Sequence, residues 1–204
     1  TTTGLVDEVS PTAQIAGACN AVLLRPDGTL LGDMFDGAGF VRGVLRKGVK
    51  LGGARILVVG SGGVGCAIAA SFAAAHVGEI GLFDVNTASS EGLAERLRKH
   101  YPALKVTTGS KDPAGYDVVV NATPMGMNEG DELPMDVSRI APTTFVGEVV
   151  MKEMTAFLAA AQARGCPIQI GTDMLFEQIP AYLEFFGFPT TTPDVLRSVA
   201  RLSY

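Results

Sequence analysis

Gly60-Ser61-Gly62-Gly63-Val64-Gly65 decides the fold of this chain. Arg55-Ile56-Leu57-Val58-Val59 precedes it and Cys66-Ala67-Ile68-Ala69-Ala70-Ser71-Phe72 follows, which reads as strand, glycine turn and helix. Gly60 permits the tight turn. Gly62 removes the side chain where a pyrophosphate would approach the backbone, and Gly65 lets helix and strand pack closely. The helix N-terminus, with Gly63 and Val64, adds free N–H groups and partial positive charge. An acid, Asp84, ends the next apolar run, Ile80-Gly81-Leu82-Phe83. A carboxylate there accepts hydrogen bonds from adenosine ribose hydroxyls and repels a 2′-phosphate. The alternative is a glycine turn that binds nothing, against which the strand, the helix and the acid agree.

From Arg55 onward, apolar runs alternate with helical patterns. The expected strands are Arg55–Val59, Glu79–Asp84, Lys105–Thr107, Asp117–Asn121, Thr144–Val149 and Pro167–Ile170. The expected helices are Gly63–Ala75, Ala88–Lys99, Met154–Arg164, Met174–Phe186 and Pro193–Arg201. Such alternation predicts an α/β fold: a doubly wound, Rossmann-like parallel sheet with helices on both faces. Ligands of such sheets lie beyond the carboxyl ends of the strands, where Gly60, Asp84, Asn121 and Gly171 all fall. Before this, up to about Gly32, the chain reads as extended. Ala18–Leu24 and Thr29–Leu31 flank a Pro26-Asp27-Gly28 turn signal and suggest a hairpin. Asp36 then stands where a helix N-cap belongs, Phe40, Val41, Val44 and Leu45 follow at helical spacing, and Gly48 ends the helix.

The chain has 204 residues, 47% hydrophobic and 18% charged, in the range of a globular protein with a real core. A net charge of −5 gives no basic footprint for nucleic acid or anionic membranes. No apolar run is long enough to span a bilayer, and no secretory signal is visible. Cys19, Cys66 and Cys166 are widely spaced and odd in number, which suggests buried thiols in a reducing, cytoplasmic setting. His76 and His100 have no metal-ligand spacing with them, so no metal is expected.

Five motifs, in order, resemble the shikimate dehydrogenase family, including its quinate/shikimate branch. Gly17-Ala18-Cys19-Asn20-Ala21 resembles GAVNT, and Gly32-Asp33-Met34-Phe35-Asp36-Gly37 resembles GxNTDG. Gly60–Gly65 resembles the family's dinucleotide loop. Asn121-Ala122-Thr123-Pro124-Met125-Gly126-Met127 resembles NATSxGM, and Gly171-Thr172-Asp173-Met174-Leu175-Phe176-Glu177-Gln178 resembles GxxMLxxQ. The resemblance covers nearly the whole chain but begins partway into the family's pattern.

The resemblance implies hydride transfer between a ring alcohol of a hydroxylated cyclohexene or cyclohexane carboxylate and NAD(P). Asn20, Asp36 and Gln178 would hold the substrate, with Asp36 as one half of the catalytic pair. Asn121, Ala122, Thr123, Pro124, Met127, Gly171 and Met174 would serve the cofactor, Met174 and the Thr123–Met127 segment at its nicotinamide end. The implied division is residues 1–35 as part of a substrate domain, 36–50 as a linking helix, 51–175 as the dinucleotide domain and 176–204 as helices returning to the substrate domain. The partner is a small molecule, and the expected state is monomer or homodimer. The family's catalytic lysine precedes GAVNT, whereas the first lysine here is Lys47. The expectation is a partial version of a longer protein, or a natural short form, and the alternative function is a non-catalytic NAD-binding module. Asp84-Val85-Asn86 stands where NADP users carry Asn-Arg-Thr, so NAD is expected over NADP. Met34 and Phe35 make the wall near Asp36 more apolar than the family's, and Met151 replaces a tyrosine.

Blander readings stand beside these. Asp36 would be a helix N-cap worth ~1 kcal/mol. Asn20 would satisfy strand-end backbone groups, and Gln178 would be a buried amide. Met174 and Cys66 would be core, and Arg46, Lys47 and Lys50 a solvated helix end that complements the dipole.

Overall fold

The computed structural model describes residues 2–201. The N-terminal part holds β1 (Glu8–Val9), α1 (Pro11–Ala16), β2 (Ala21–Leu24) and β3 (Leu30–Asp33). β3 pairs antiparallel with β2, the expected hairpin, and parallel with β1. α1 departs from the expected extended chain. Its ends carry local signals: the Ser10 hydroxyl accepts from the Ala13 amide at 3.1 Å, Pro11 opens the helix, and Gly17 closes it at φ 72°.

α2 (Asp36–Arg46) leads into the larger unit: β4 (Arg55–Val59), α3 (Gly63–Ala74), β5 (Glu79–Phe83), α4 (Thr87–His100), β6 (Lys105–Thr108), β7 (Val118–Asn121), β8 (Phe145–Glu148), α5 (Ala156–Ala163), β9 (Ile168–Gln169), α6 (Gly171–Phe185) and α7 (Pro193–Val199). The sheet is parallel throughout, in the order β6-β5-β4-β7-β8-β9. That is the Rossmann order, with its switch point between β4 and β7. Side chains alternate across a strand, so β4 feeds two cores. Ile56 and Val58 join one, Leu57 and Val59 the other. Burying each such side chain is worth roughly 1.5–3 kcal/mol, and continuous apolar runs are what a sheet covered on both faces requires.

α3 is buried from Gly65 through Ala73 because it lies between the sheet and α2. Glycines set this contact: a Cβ on Gly37 would stand 2.0 Å from the Ala67 carbonyl oxygen. Two residues on, about 200° around α2, a Cβ on Gly39 would stand 2.6 Å from the Met174 carbonyl oxygen of α6. Asp36 is thereby placed beside the helix that follows the glycine turn.

Three expectations are corrected. Asp36 is not the cap of α2: Phe35 is, without a side-chain bond, and Asp36 is the first helical residue. α6 begins at Gly171, before the expected Met174, and runs without interruption past residue 176. The basic end of α2 is ion-paired as well as solvated. Lys47 Nζ meets Asp173 Oδ2 at 2.6 Å and the Ile168 carbonyl at 2.9 Å, and Arg46 pairs with Asp194 and, at 3.6 Å, with Glu177.

Candidate functional site

The turn between β4 and α3 is shaped by close approaches. Gly60 has φ 105°, and a Cβ there would stand 2.6 Å from the Ala122 carbonyl oxygen. A Cβ on Gly65 would stand 2.0 Å from the Gly60 carbonyl oxygen. Gly62 and Gly63 differ: nothing lies within 4 Å of a Cβ built on either. α3 starts at this open place, capped by Gly62 without a side-chain hydrogen bond. A helix N-terminus presents its first N–H groups with a partial positive charge. Beside it lies a cavity of about 410 Å³.

Asp84 lies at the rim of this cavity with both carboxylate oxygens fixed. Oδ2 accepts from the Ser61 amide at 2.7 Å and Oδ1 from the Asn86 amide at 2.9 Å. A carboxylate has about four lone-pair sites, so each oxygen retains acceptor capacity. The Ser61 N–H is committed to Asp84, and its hydroxyl is buried with no partner among the described residues. The Cys66 thiol lies 3.3 Å from the Ser61 carbonyl, and burial pushes that thiol up, which keeps it protonated as a donor.

Gly60, Gly62, Asp84 and Val85 line the cavity, facing Ala122, Thr123 and Pro124 on the turn after β7. Asn121 is fully buried beneath that turn. Its Nδ2 donates to the Met125 carbonyl at 3.0 Å, and its Oδ1 accepts from the Thr123 amide and hydroxyl at 3.1 and 2.6 Å. Gly63, Val64 and Gly65 form the first turn of α3. Met127 is 58% exposed and, like Gly171 and Met174, is not among the lining residues; Met174 belongs to the core. Lys111 was missed: it lines the cavity, its ammonium 5.8 Å from the Phe83 ring centre. It lies on the loop after β6, and only the closing of the sheet brings it to the rim.

A dinucleotide diphosphate fits these residues. The helix start, without a side-chain cap, faces open space at the two glycines where a phosphate needs room, and a fixed carboxylate lines the same cavity.

A second polar cluster surrounds Asp36. Its Oδ1 accepts from Asn20 Nδ2 at 2.8 Å and Gln178 Nε2 at 2.5 Å. Oδ2 has no hydrogen-bond partner among the described residues. Asn20 Oδ1 also accepts from the Phe35 amide at 3.1 Å, so the side chain satisfies a backbone group while its amide nitrogen holds Asp36. Gln178 is buried, and its amide also reaches the Tyr182 hydroxyl at 3.0 Å. Tyr182 was missed as well; it lies one helical turn beyond Gln178. Burial and the Asp36 charge raise its phenol, so it stays protonated. Met34 is core, while Phe35 packs on the rings of Tyr182 and Phe185, each 5.0 Å away. The three residues implied for substrate therefore converge on one carboxylate.

Among the described residues no cluster of His, Cys, Asp and Glu could hold a metal, and no helix is long and apolar enough to cross a membrane.

No family model matches the chain. It is 35% identical over 179 residues to shikimate dehydrogenase (NADP(+)) of Rubrobacter xylanophilus, covering 85% of this chain and 63% of that protein. It is 34% identical over 200 residues to quinate/shikimate dehydrogenase (NAD(+)) of Corynebacterium efficiens, covering 95% of this chain and 69% of that protein. Its fold matches the crystal structure of shikimate 5-dehydrogenase from Listeria monocytogenes in complex with shikimate and NAD. The TM-score is 0.90 at 27% identity, over 98% of this chain and 73% of that one. The chain thus spans about two thirds of the length of the curated relatives it matches.

Proposed function

This chain belongs to the shikimate dehydrogenase family, and from that premise we propose that it forms the cofactor site and the inner substrate wall of an NAD(P)-dependent oxidoreductase. The substrate class is a hydroxylated cyclohexene or cyclohexane carboxylate, one of whose ring alcohols is oxidised or regenerated. A bound nicotinamide would supply the hydride chemistry. The protein's task is to bind, orient and manage a proton.

The observation that carries this reading is the pairing of two built sites. An uncapped helix opens on a cavity rimmed by Asp84, and a carboxylate beside that helix is held by Asn20 and Gln178. With Oδ1 occupied, Asp36 offers Oδ2 to a ring hydroxyl or to a catalytic cation. The two amides and the Tyr182 hydroxyl give a polyol a set of donors and acceptors, and Phe35 beside them gives an apolar wall. Residues 1–35 would contribute to the substrate domain, 36–50 the link, 51–175 the dinucleotide domain and 176–204 the returning helices. The non-catalytic alternative has weaker support, because every relative named above is a dehydrogenase.

NAD is preferred over NADP in this reading. Two backbone amides fix Asp84 where a 2′-phosphate would sit, and Val85, 94% exposed, offers no cation. Lys111 on the same cavity works the other way. It is a flexible point charge, whereas the carboxylate is held in place, so repulsion of the phosphate wins. The protein acts in the cytoplasm as a monomer or homodimer. Turnover of shikimate and quinate with each cofactor tests the activity, and the dissociation constants of NADH and NADPH test the preference. Tighter binding of NADPH refutes the latter.

A further inference from the structure

Glu148 ends β8 with no exposed surface. Its Oε2 accepts from the Thr155 hydroxyl at 2.9 Å, while Oε1 is enclosed with no hydrogen-bond partner among the described residues. Its register partner on β7 is Asn121, whose amide ties the turn that walls the cavity. The Asn121 amide has two N–H groups, and the Met125 carbonyl takes one. On the other side, Thr155 caps α5 by accepting from the Leu158 amide at 3.2 Å, and its methyl lies 3.4 Å from where a Cβ on Gly126 would be. Glu148 therefore sits between the anchor of the 121–127 turn and the cap of the following helix.

We propose that Glu148 is a positioning residue, whose carboxylate orients the Asn121 amide and so sets the grip of the 121–127 turn on the dinucleotide. This rests on the cofactor reading above. Asn121 works only one way round, with nitrogen toward Met125 and oxygen toward Thr123. The register sets the Glu148 carboxylate beside that amide, and its negative charge attracts the N–H end and repels the oxygen, which favours that orientation.

Burial pushes the Glu148 carboxyl up to about 6, against the Thr155 hydroxyl, the Asn121 amide and the Lys152 ammonium, which favour its charge. The charge is present at neutral pH and is lost as pH falls through about 6. Lys152, on the segment leading to α5, is the charged group that acts on it. Beyond the turn, Asp131 is engaged by the Gly126 and Asn128 amides, each at 2.9 Å, which keep it ionised. Asn121 on β7, Gln169 on β9 and Thr155 at α5 bring no charge.

Binding and stability then move in opposite senses. An acid raised in the folded state weakens the fold where it is ionised. Stability rises as pH falls from above about 6 toward 4.5, while the hold on the cofactor loosens. A merely structural Glu148 would move stability alone.

The test measures the NADH dissociation constant calorimetrically from about pH 5 to about pH 8, with denaturation midpoints, for this chain and for Glu148→Gln. Wild type is expected to bind roughly three- to tenfold more weakly at the acid end. Glu148→Gln is expected to bind weakly throughout, without the step. A flat wild-type profile, or an unchanged step in the variant, overturns the proposal. Should the variant fail to fold, carboxyl NMR of wild type decides. NADH must lower the Glu148 pKa by reciprocity, and an unmoved pKa overturns the proposal. Absence of NADH binding at every pH removes the cofactor reading too, whereas binding without a step removes this proposal alone.

Discussion

Gly62 and Gly65 stand three residues apart in the same turn, and alanine at each should fail for a different reason. At Gly62 the backbone has φ −75°, open to any residue, and a Cβ meets nothing within 4 Å. The fold should barely notice. Reduced freedom of the unfolded chain stabilises by ~0.4–1 kcal/mol, and a poorer N-cap costs a few tenths to about 1 kcal/mol. With a shift of about 2–4 °C per kcal/mol at this size, the melting temperature should stay within about 3 °C of wild type. The methyl group, however, fills the space the pyrophosphate needs. Losing one charge-assisted hydrogen bond of ~1.5–3 kcal/mol weakens NADH roughly 10- to 150-fold. At Gly65 the Cβ would stand 2.0 Å from a backbone oxygen that cannot yield cheaply. Overpacking of that kind costs ~1–3 kcal/mol or more, so the melting temperature should fall by several degrees. Calorimetric NADH titration and thermal melts of both variants check this. Wild-type NADH affinity in Gly62→Ala, or equal destabilisation by the two, would refute the reasoning.

Three further outcomes are expected. Asp36→Asn keeps the Oδ1 acceptor for Asn20 and Gln178; in a catalytically competent form it should leave NADH binding near wild type and cut turnover of shikimate or quinate roughly 10-fold or more, as steady-state rates would show. Asp84→Asn combined with Val85→Arg removes the fixed charge and supplies a guanidinium, so the ratio of NADPH to NADH dissociation constants should fall by roughly 10-fold or more. Glu79 joins β5 to its neighbours through Arg55 at 3.0 Å and Lys105 at 3.1 Å; burial raises its carboxyl, but these two cations outweigh that and hold it below 4.5. Its stabilisation is therefore present above about pH 4.5 and lost as pH falls below it. Denaturant midpoints of Glu79→Gln should lack that part of the acid decline.

Local pattern carried much of the fold. β4, the glycine turn and α3 are consecutive in the chain, so periodicity and three glycines suffice to read them, and Asp84 follows at the next strand end. Asn20, Asp36 and Gln178 came from motifs spread over most of the chain, and their convergence on one carboxylate required α2 to pack against α6 through Gly39. α1 escaped because six residues show little periodicity, although Ser10, Pro11 and Gly17 mark its ends. The start of α6 escaped because Ile170 supplies no side-chain cap and Gly171 resembles a strand-end loop. Lys111, Tyr182 and Glu148 lie on segments whose roles depend on what the chain folds against them. An acid in the apolar run Thr144–Val149 gives no sign that it is buried with one oxygen unsatisfied until β7 pairs beside it.

Amide chemical shifts of the labelled chain, recorded with and without NADH, bear most directly on the dinucleotide site. The largest changes should fall on Gly62, Gly63 and Val64, at the bare start of α3, with smaller ones at Val85 and Asn86. Saturating NADH that leaves those amides unmoved in a folded sample would contradict the account.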